Sequence, residues 1–333
     1  MKRAAILCPG RGSYTERTLG SLPEGHDGVR RADELRRARG LPSLAELDGA
    51  RRFEPALHLA PANVSALIWL VTTIDAAEAA RESEIVCVAG NSMGWYTALA
   101  VAGALDFDDG FRLVQEMAIL QEEHQKAEGG GQVIYPVVDE RWRPDPRLAD
   151  VVRTALDTSG GEARPSIRLG GYEVLAGSEA GIAHLLRLLP KTKLGQNLYP
   201  FRLMQHGPYH TPLLEPVARK ARERLGDLRF RAPRTTLVDG RGVRFTPWST
   251  DPRELADYTL GAQVVETFDF GASVRVALRE HAPDRLVCPG PGNTLGGVCG
   301  QILVAEGWRG IASREDFDRV QSGEDPVLVS MRR

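Results

Sequence analysis

Five residues, Gly90-Asn91-Ser92-Met93-Gly94, stand between the apolar run Ile85-Val86-Cys87-Val88-Ala89 and the helix-forming stretch Trp95-Tyr96-Thr97-Ala98-Leu99-Ala100. This order dictates a buried strand, a turn and a helix. The glycines on either side of the serine free the backbone to turn sharply. The Ser92 hydroxyl is then presented at the carboxyl end of the strand, beside the positive end of the following helix. A serine in that layout, a nucleophile elbow, is placed to attack a carbonyl. The pentapeptide alone is a weak signal, and the strand before it and the helix after it supply the weight.

Strand-like and helix-like runs alternate along the chain, which favours an α/β fold with a parallel sheet. A first block reads as a strand at 4–8, a helix around 62–80, the strand 85–89, and helices around 93–102 and 108–126. The composition then changes. Gly129-Gly130-Gly131 opens a stretch reading as a strand at 132–138, whose Pro136 suits an edge or an end, and a helix at 147–156. Strands around 165–168 and 172–176, a helix at 178–189 and a strand near 199–204 follow. A βαββαβ order of about 70 residues is that of a ferredoxin-like insert. The chain returns to a helix at 213–225, a strand near 235–239, a helix at 271–280, the strand 285–288 and the loop Pro289 to Leu295. The expected division is a large α/β domain of residues 1–128 and 201–333, interrupted by a small α+β domain at 129–200. Arg141 to Arg147 and the tail Gly323 to Arg333 read as solvated segments.

The 42 basic and 44 acidic residues nearly cancel, so neither nucleic acid nor a membrane surface is expected as a partner. The longest apolar stretch, Val64 to Thr72, is too short to span a bilayer, and the apolar part of Met1 to Cys8 is too short for a signal peptide. Cys8, Cys87, Cys288 and Cys299 lack metal-ligand spacing. They read as small buried hydrophobes in a reducing cytoplasm, and no metal is expected.

Four stations occur in order: Pro9-Gly10-Arg11-Gly12-Ser13 after the first strand, the elbow at Ser92, Tyr209-His210-Thr211-Pro212-Leu213-Leu214-Glu215-Pro216, and the loop Gly290 to Leu295. As an ordered set they resemble the malonyl-CoA:acyl carrier protein transacylases and the acyltransferase domains of polyketide synthases, over nearly the whole chain. The resemblance implies a hydrolase-like parallel-sheet domain interrupted by a small ferredoxin-like one. It also implies an acyltransferase of fatty-acid or polyketide biosynthesis. Such an enzyme moves an acyl group from coenzyme A to the phosphopantetheine thiol of an acyl carrier protein through an acyl-serine. Acyl-CoA and acyl carrier protein are then the partners, and the coenzyme A thioester is a substrate, with no cofactor bound permanently. Carried over to this chain, Ser92 is the nucleophile and His210 the general base. The backbone carbonyl of Gln263, in Gln263-Val264-Val265-Glu266, orients the imidazole, and the backbone N–H groups of Arg11 and Met93 hold the oxyanion.

The departures from the family fall in the shell around that pair. Asn91 replaces a histidine, Gly207-Pro208-Tyr209 replaces the selectivity tripeptide, and Met117, in Leu113-Val114-Gln115-Glu116-Met117, stands where malonyl-selective members carry arginine. Asn91, Met117 and Tyr209 are thus the expected substrate-binding positions. A buried carboxylate left unpaired costs about 3 to 5 kcal/mol, so acetyl or a longer acyl group is open beside malonyl. Alternatively Arg11, where the family has glutamine, reaches into the same pocket and restores the charge. Two rival readings stand beside transfer: an acyltransferase-like hydrolase that clears acyl groups from carrier proteins, and an inactive docking subunit. A hydrolase fold proper would need a base late in the chain, where only His281 is available.

Overall fold

A continuous apolar run fits a strand covered on both faces, and Ala4 to Cys8 form the buried part of β1 (Lys2–Cys8) at the centre of the larger sheet. The computed structural model describes residues 1–332. β1 pairs in parallel with β2 (Ser83–Gly90). In chain order follow β3 (Gly131–Pro136), β4 (Ala163–Leu169), β5 (Tyr172–Gly177) and the short strands β6 (Thr192–Leu194), β7 (Asn197–Tyr199) and β8 (Phe201–Arg202). Then come β9 (Leu237–Val238), β10 (Arg244–Phe245), β11 (Phe268–Asp269), β12 (Arg285–Cys288) and β13 (Leu328–Ser330). The larger sheet runs β10-β9-β2-β1-β12-β13 and is parallel except between β9 and β10. The second runs β11-β4-β5-β3-β8 and is antiparallel except between β11 and β4. The α/β class expected from the alternating runs is the class observed.

Helices Pro61–Glu82 and Phe107–Glu128 pack against each other beside the larger sheet. The first buries all of Val64 to Thr72, so that apolar run belongs to the interior. Among the described residues no helix is long and apolar enough to cross a membrane. The second sheet divides its residues between two cores. Val133, Tyr135 and Leu175 pack with Ile182 and Leu185 in a small core of their own. On the opposite face Ile134, Ile167 and Val174 are cross-strand neighbours that pack with the core of the larger sheet.

Two expectations fail. The tail is not a solvated segment: β13 adds to β12 at the edge of the larger sheet, with Val327 and Leu328 buried. Beyond it, Arg332 donates to Asp75, Nη2 to Oδ1 at 2.7 Å, and Asp75 is only 2% exposed. A strand of three residues is too short for alternation to register. The strand expected near 199–204 is broken, with β7 turned back on β6 in a separate hairpin and β8 reduced to two residues beside β3.

Parallel pairing fixes the site. β2, β1 and β12 lie side by side and point the same way, so the elbow, the Pro9 to Ser13 loop and the Pro289 to Asn293 loop all leave from their carboxyl ends. Three stations far apart in sequence meet there.

Candidate active site

A methyl group on Gly90 would lie 2.1 Å from the Gly94 carbonyl oxygen, and one on Gly94 would lie 2.2 Å from that of Cys8. Both positions demand glycine, because the turn folds back on itself and on the end of β1. The Asn91 N–H donates to the Cys8 carbonyl at 2.9 Å, locking the turn to β1. Ser92 itself has φ +54°, a conformation costly for a residue with a side chain and held by its surroundings.

His210, also in the left-handed region at φ +57°, sits with Nε2 2.7 Å from Ser92 Oγ. Its Nδ1 lies 2.8 Å from the main-chain carbonyl of Gln263. A carbonyl can only accept, so Nδ1 carries the hydrogen and the Nε2 lone pair faces the serine hydroxyl. His210 is 4% exposed, and burial pushes its pKa down to about 4 against the opposing pull of the Gln263 hydrogen bond. The imidazole is neutral at pH 7, as a proton acceptor must be.

The Gln263 carbonyl is free because the short helix Gln263–Val265 ends at once, after a π-helical turn over Tyr258–Ala262. Its side chain grips the other half of the site: Oε1 accepts from the Tyr96 hydroxyl at 2.7 Å, and Nε2 donates to the Ser92 carbonyl at 3.2 Å. Gln263 thus touches both Ser92 and His210. The loop carrying His210 is tied to the second sheet by Ser166, whose hydroxyl donates to the Tyr209 carbonyl at 2.8 Å and accepts from Gln132 Nε2 at 2.6 Å. Nothing in the sequence singles out Gln132 or Ser166 for this role, since each lies within a strand-like run.

The pair opens into a cavity of about 290 Å³ between the two sheets. Arg11, Asn91, Met93, Tyr209 and Gln263 all lie in its wall. The backbone N–H groups of Arg11 and Met93 find no acceptor in the chain among the described residues. Asn91 is buried, its Oδ1 without a partner among the described residues. Met117 is not in the wall. It is fully buried in the large core, as suits an apolar thioether, and its placement as a substrate contact is corrected. One turn further along the same helix, Gln121 reaches the cavity instead.

Gln121 meets Arg11. The Arg11 guanidinium donates from Nη2 to Gln121 Oε1 at 2.9 Å, from Nε to Ser65 Oγ at 3.2 Å, and from Nη1 to the Tyr209 hydroxyl, and its centre lies 5.0 Å from the Tyr209 ring. All three partners are neutral, and among the described residues Arg11 forms no ion pair. His206, in the same wall, has its pKa pushed down to about 4 by burial and by the Arg11 charge. Among the described residues, the cavity therefore presents one cation without an anionic partner.

His281 is the last residue of the helix Phe270–His281 and lies outside this wall, which leaves Ser92 with His210 as its imidazole. All four cysteines are buried free thiols, and burial raises Cys87 to about 12.

No protein-family model matches the chain. It is 30% identical over 210 residues to the non-reducing polyketide synthase mapC of Penicillium brevicompactum, a match covering 60% of this chain but only 8% of that protein. It is 23% identical over 312 residues to the malonyl CoA-acyl carrier protein transacylase of Haemophilus influenzae, covering 91% of this chain and 93% of that one. Among solved structures, the acyl-carrier-protein S-malonyltransferase of Burkholderia pseudomallei superposes with a TM-score of 0.73 at 25% identity, over 91% of this chain and 93% of that one. The chain is thus similar in sequence and in fold to malonyl-CoA:acyl carrier protein transacylases, and in sequence to part of a polyketide synthase.

Proposed function

We propose that this protein is an acyltransferase that carries an acyl group from coenzyme A to the phosphopantetheine thiol of an acyl carrier protein through an ester on Ser92. The observation that carries the reading is the 2.7 Å contact between Ser92 Oγ and the neutral Nε2 of His210 inside a cavity. In the first half, Ser92 Oγ attacks the thioester carbonyl while its proton passes to His210 Nε2. The C–S bond then breaks, the proton moves from Nε2 to the departing sulfur, and coenzyme A leaves as the thiol. In the second half, the carrier thiol gives its proton to Nε2 and attacks the Ser92 ester, and Ser92 Oγ takes the proton back as the C–O bond breaks. Each tetrahedral intermediate places a negative oxygen where the free N–H groups of Arg11 and Met93 serve as donors, each worth about 3 to 4 kcal/mol. The Gln263 carbonyl holds the imidazole in the required tautomer, and it also stabilises the imidazolium formed in each half.

The unpaired Arg11 guanidinium favours an acyl group that brings a carboxylate, the malonyl type, over an uncharged one. It supplies from the loop after β1 the charge that Met117 lacks. The strand order β4-β5-β3-β8 around helices Pro146–Asp157 and Glu179–Leu188 supports a ferredoxin-like insert within a hydrolase-like domain, with β8 (Phe201–Arg202) lying just past the expected bounds 129–200. Buried free thiols suit a reducing cytoplasm.

Incubation with holo carrier protein and malonyl-CoA, followed by intact-mass measurement of the carrier, tests the reading. Malonyl-carrier is expected, and its formation is lost in Ser92→Ala. Release of free malonate with the carrier left unacylated would point instead to hydrolysis.

A further inference from the structure

The Pro289 to Asn293 loop meets the other two at the carboxyl ends of the parallel strands, yet no step of the chemistry uses its side chains. Its main chain is gripped at one residue. Thr72 and Asp75, three apart and so on one face of the helix Pro61–Glu82, hold both polar groups of Gly290. The Thr72 hydroxyl donates to the Gly290 carbonyl at 2.7 Å, and the Gly290 N–H donates to Asp75 Oδ2 at 2.8 Å. Both gripping side chains are buried. A carboxylate stays ionised in such a place only with a cation on it, and among the described residues Arg332 is the one ion-pair partner of Asp75. The guanidinium binds in two places, Nη2 to Oδ1 at 2.7 Å and Nε to Oδ2 at 2.8 Å. Arg332 also lies over the loop, since a methyl group on Gly290 would stand 2.6 Å from its Cδ.

Contact passes this grip on to the loop after β1. A methyl group on Gly292 would lie 2.4 Å from the Ser13 carbonyl oxygen, so the two backbones touch. The Ser13 hydroxyl donates to the Gly10 carbonyl at 3.0 Å and closes the turn in which Arg11 stands. On the other side, a methyl group on Gly10 would lie 2.7 Å from the Asn91 carbonyl oxygen of the elbow. The turn carrying the Arg11 N–H is thus wedged between the elbow and the Gly290–Gly292 segment. Resting on the acyltransferase reading above, we propose that Arg332 and Asp75, neither of them in the cavity wall, are positioning residues for the reaction. By fixing Gly290 they hold the Pro9 to Ser13 loop where the Arg11 N–H faces the oxyanion. The Arg11 guanidinium has its own anchors in Ser65, Gln121 and Tyr209, so the pair sets the donor N–H and leaves donor binding alone. Without Arg332, Asp75 is a buried anion that draws in water or a proton, and either one loosens its hold on the Gly290 N–H.

Rapid-quench measurement of Ser92 acylation over a range of malonyl-CoA concentrations separates the rate constant at saturation from the half-saturating concentration. Unlike an amplitude, that rate constant does not depend on the fraction of a variant that is folded. Arg332→Met is expected to lower it about tenfold or more, with the half-saturating concentration changed less than about threefold. Arg332→Lys, which keeps a cation, is expected to stand between Arg332→Met and the wild type. The double variant Arg332→Met with Asp75→Asn keeps an acceptor for the Gly290 N–H without the orphaned charge, and is expected to be faster than Arg332→Met alone. Arg112→Met cuts a two-point ion pair with Asp227 that touches none of the three loops, and is expected to leave the rate constant unchanged. A rate constant within twofold of wild type in Arg332→Met, a loss wholly in the half-saturating concentration, or a double variant no faster than Arg332→Met overturns the proposal. Each of these leaves the acyltransferase reading in place, whereas the absence of Ser92 acylation in the wild type overturns that reading.

Discussion

A buried imidazole that must accept the Ser92 proton sets the acid limit of the first chemical step. Free imidazole titrates near 6.5, and His210 is pushed down to about 4 by burial. The difference corresponds to about 3 kcal/mol against the charged form, a plausible size for a side chain 4% exposed with no anion bonded to it. At pH 5.5 a base of pKa 6.5 is only about one-tenth unprotonated, whereas a base of pKa about 4 remains almost wholly so. Rapid-quench measurement of Ser92 acylation at donor concentrations below KM, from pH 4.5 to 8, reads this directly. The rate constant is expected to change by less than twofold between pH 7.5 and 5.5 and to fall only as pH approaches about 4. A tenfold loss over that interval, with a midpoint near 6.5, would refute the argument that burial keeps His210 neutral.

Three further outcomes follow from the same contacts. Gln263→Leu keeps the main-chain carbonyl on His210 but removes the hydrogen bonds to the Tyr96 hydroxyl and the Ser92 carbonyl; kcat is expected to fall about 10- to 100-fold with KM little changed in steady-state assays. Gly94→Ala drives a methyl group into the Cys8 carbonyl oxygen at 2.2 Å, and a loss of more than about 3 kcal/mol is expected in urea denaturation, where an unchanged midpoint would contradict the turn geometry. Glu173, on β5, has its pKa raised to about 7 by burial, with Asp269 adding to the shift and Arg168 opposing it. Because that value lies above the unfolded one, this group's cost to stability is absent below about pH 4.5 and grows as pH rises to about 7. Glu173→Gln is therefore expected to raise Tm at pH 8 and to leave it unchanged at pH 4.

The elements legible in the sequence were those whose burial imposes a pattern. Ala4 to Cys8 and Cys87 to Gly90 are buried on both faces, so each reads as a short apolar run. The helix Glu179–Leu188 buries one side through Ile182 and Leu185, and its 3.6-residue period shows. The helix Asp27–Arg37 was invisible, because its buried face is Val29, Ala32 and Arg36, and a fully buried arginine reads as surface. Arg36 is tolerated inside because it donates to the Pro42 and Ala62 carbonyls and to the side chains of Gln115 and Asn63. At the site, the proximity of Ser92 to His210 came from the ordered motifs and not from any local signal, since 118 residues separate them. What the sequence could not resolve was rotation and reach. Whether residue 117 or 121 touches the cavity is a matter of one helical turn, and whether Arg11 points inward depends on Ser65, Gln121 and Tyr209, which come from three other segments.

The most direct test of the account is to locate the covalent intermediate. Wild-type protein mixed with malonyl-CoA in the absence of carrier, quenched in acid within seconds and digested, is expected to carry an 86-dalton-class malonyl increment (about 86 Da from the acyl formula) on the peptide containing Ser92, with no increment in Ser92→Ala and a much slower one in His210→Ala. An increment on any other residue, or one of undiminished rate in His210→Ala, would contradict the assignment of these two side chains to a single proton transfer.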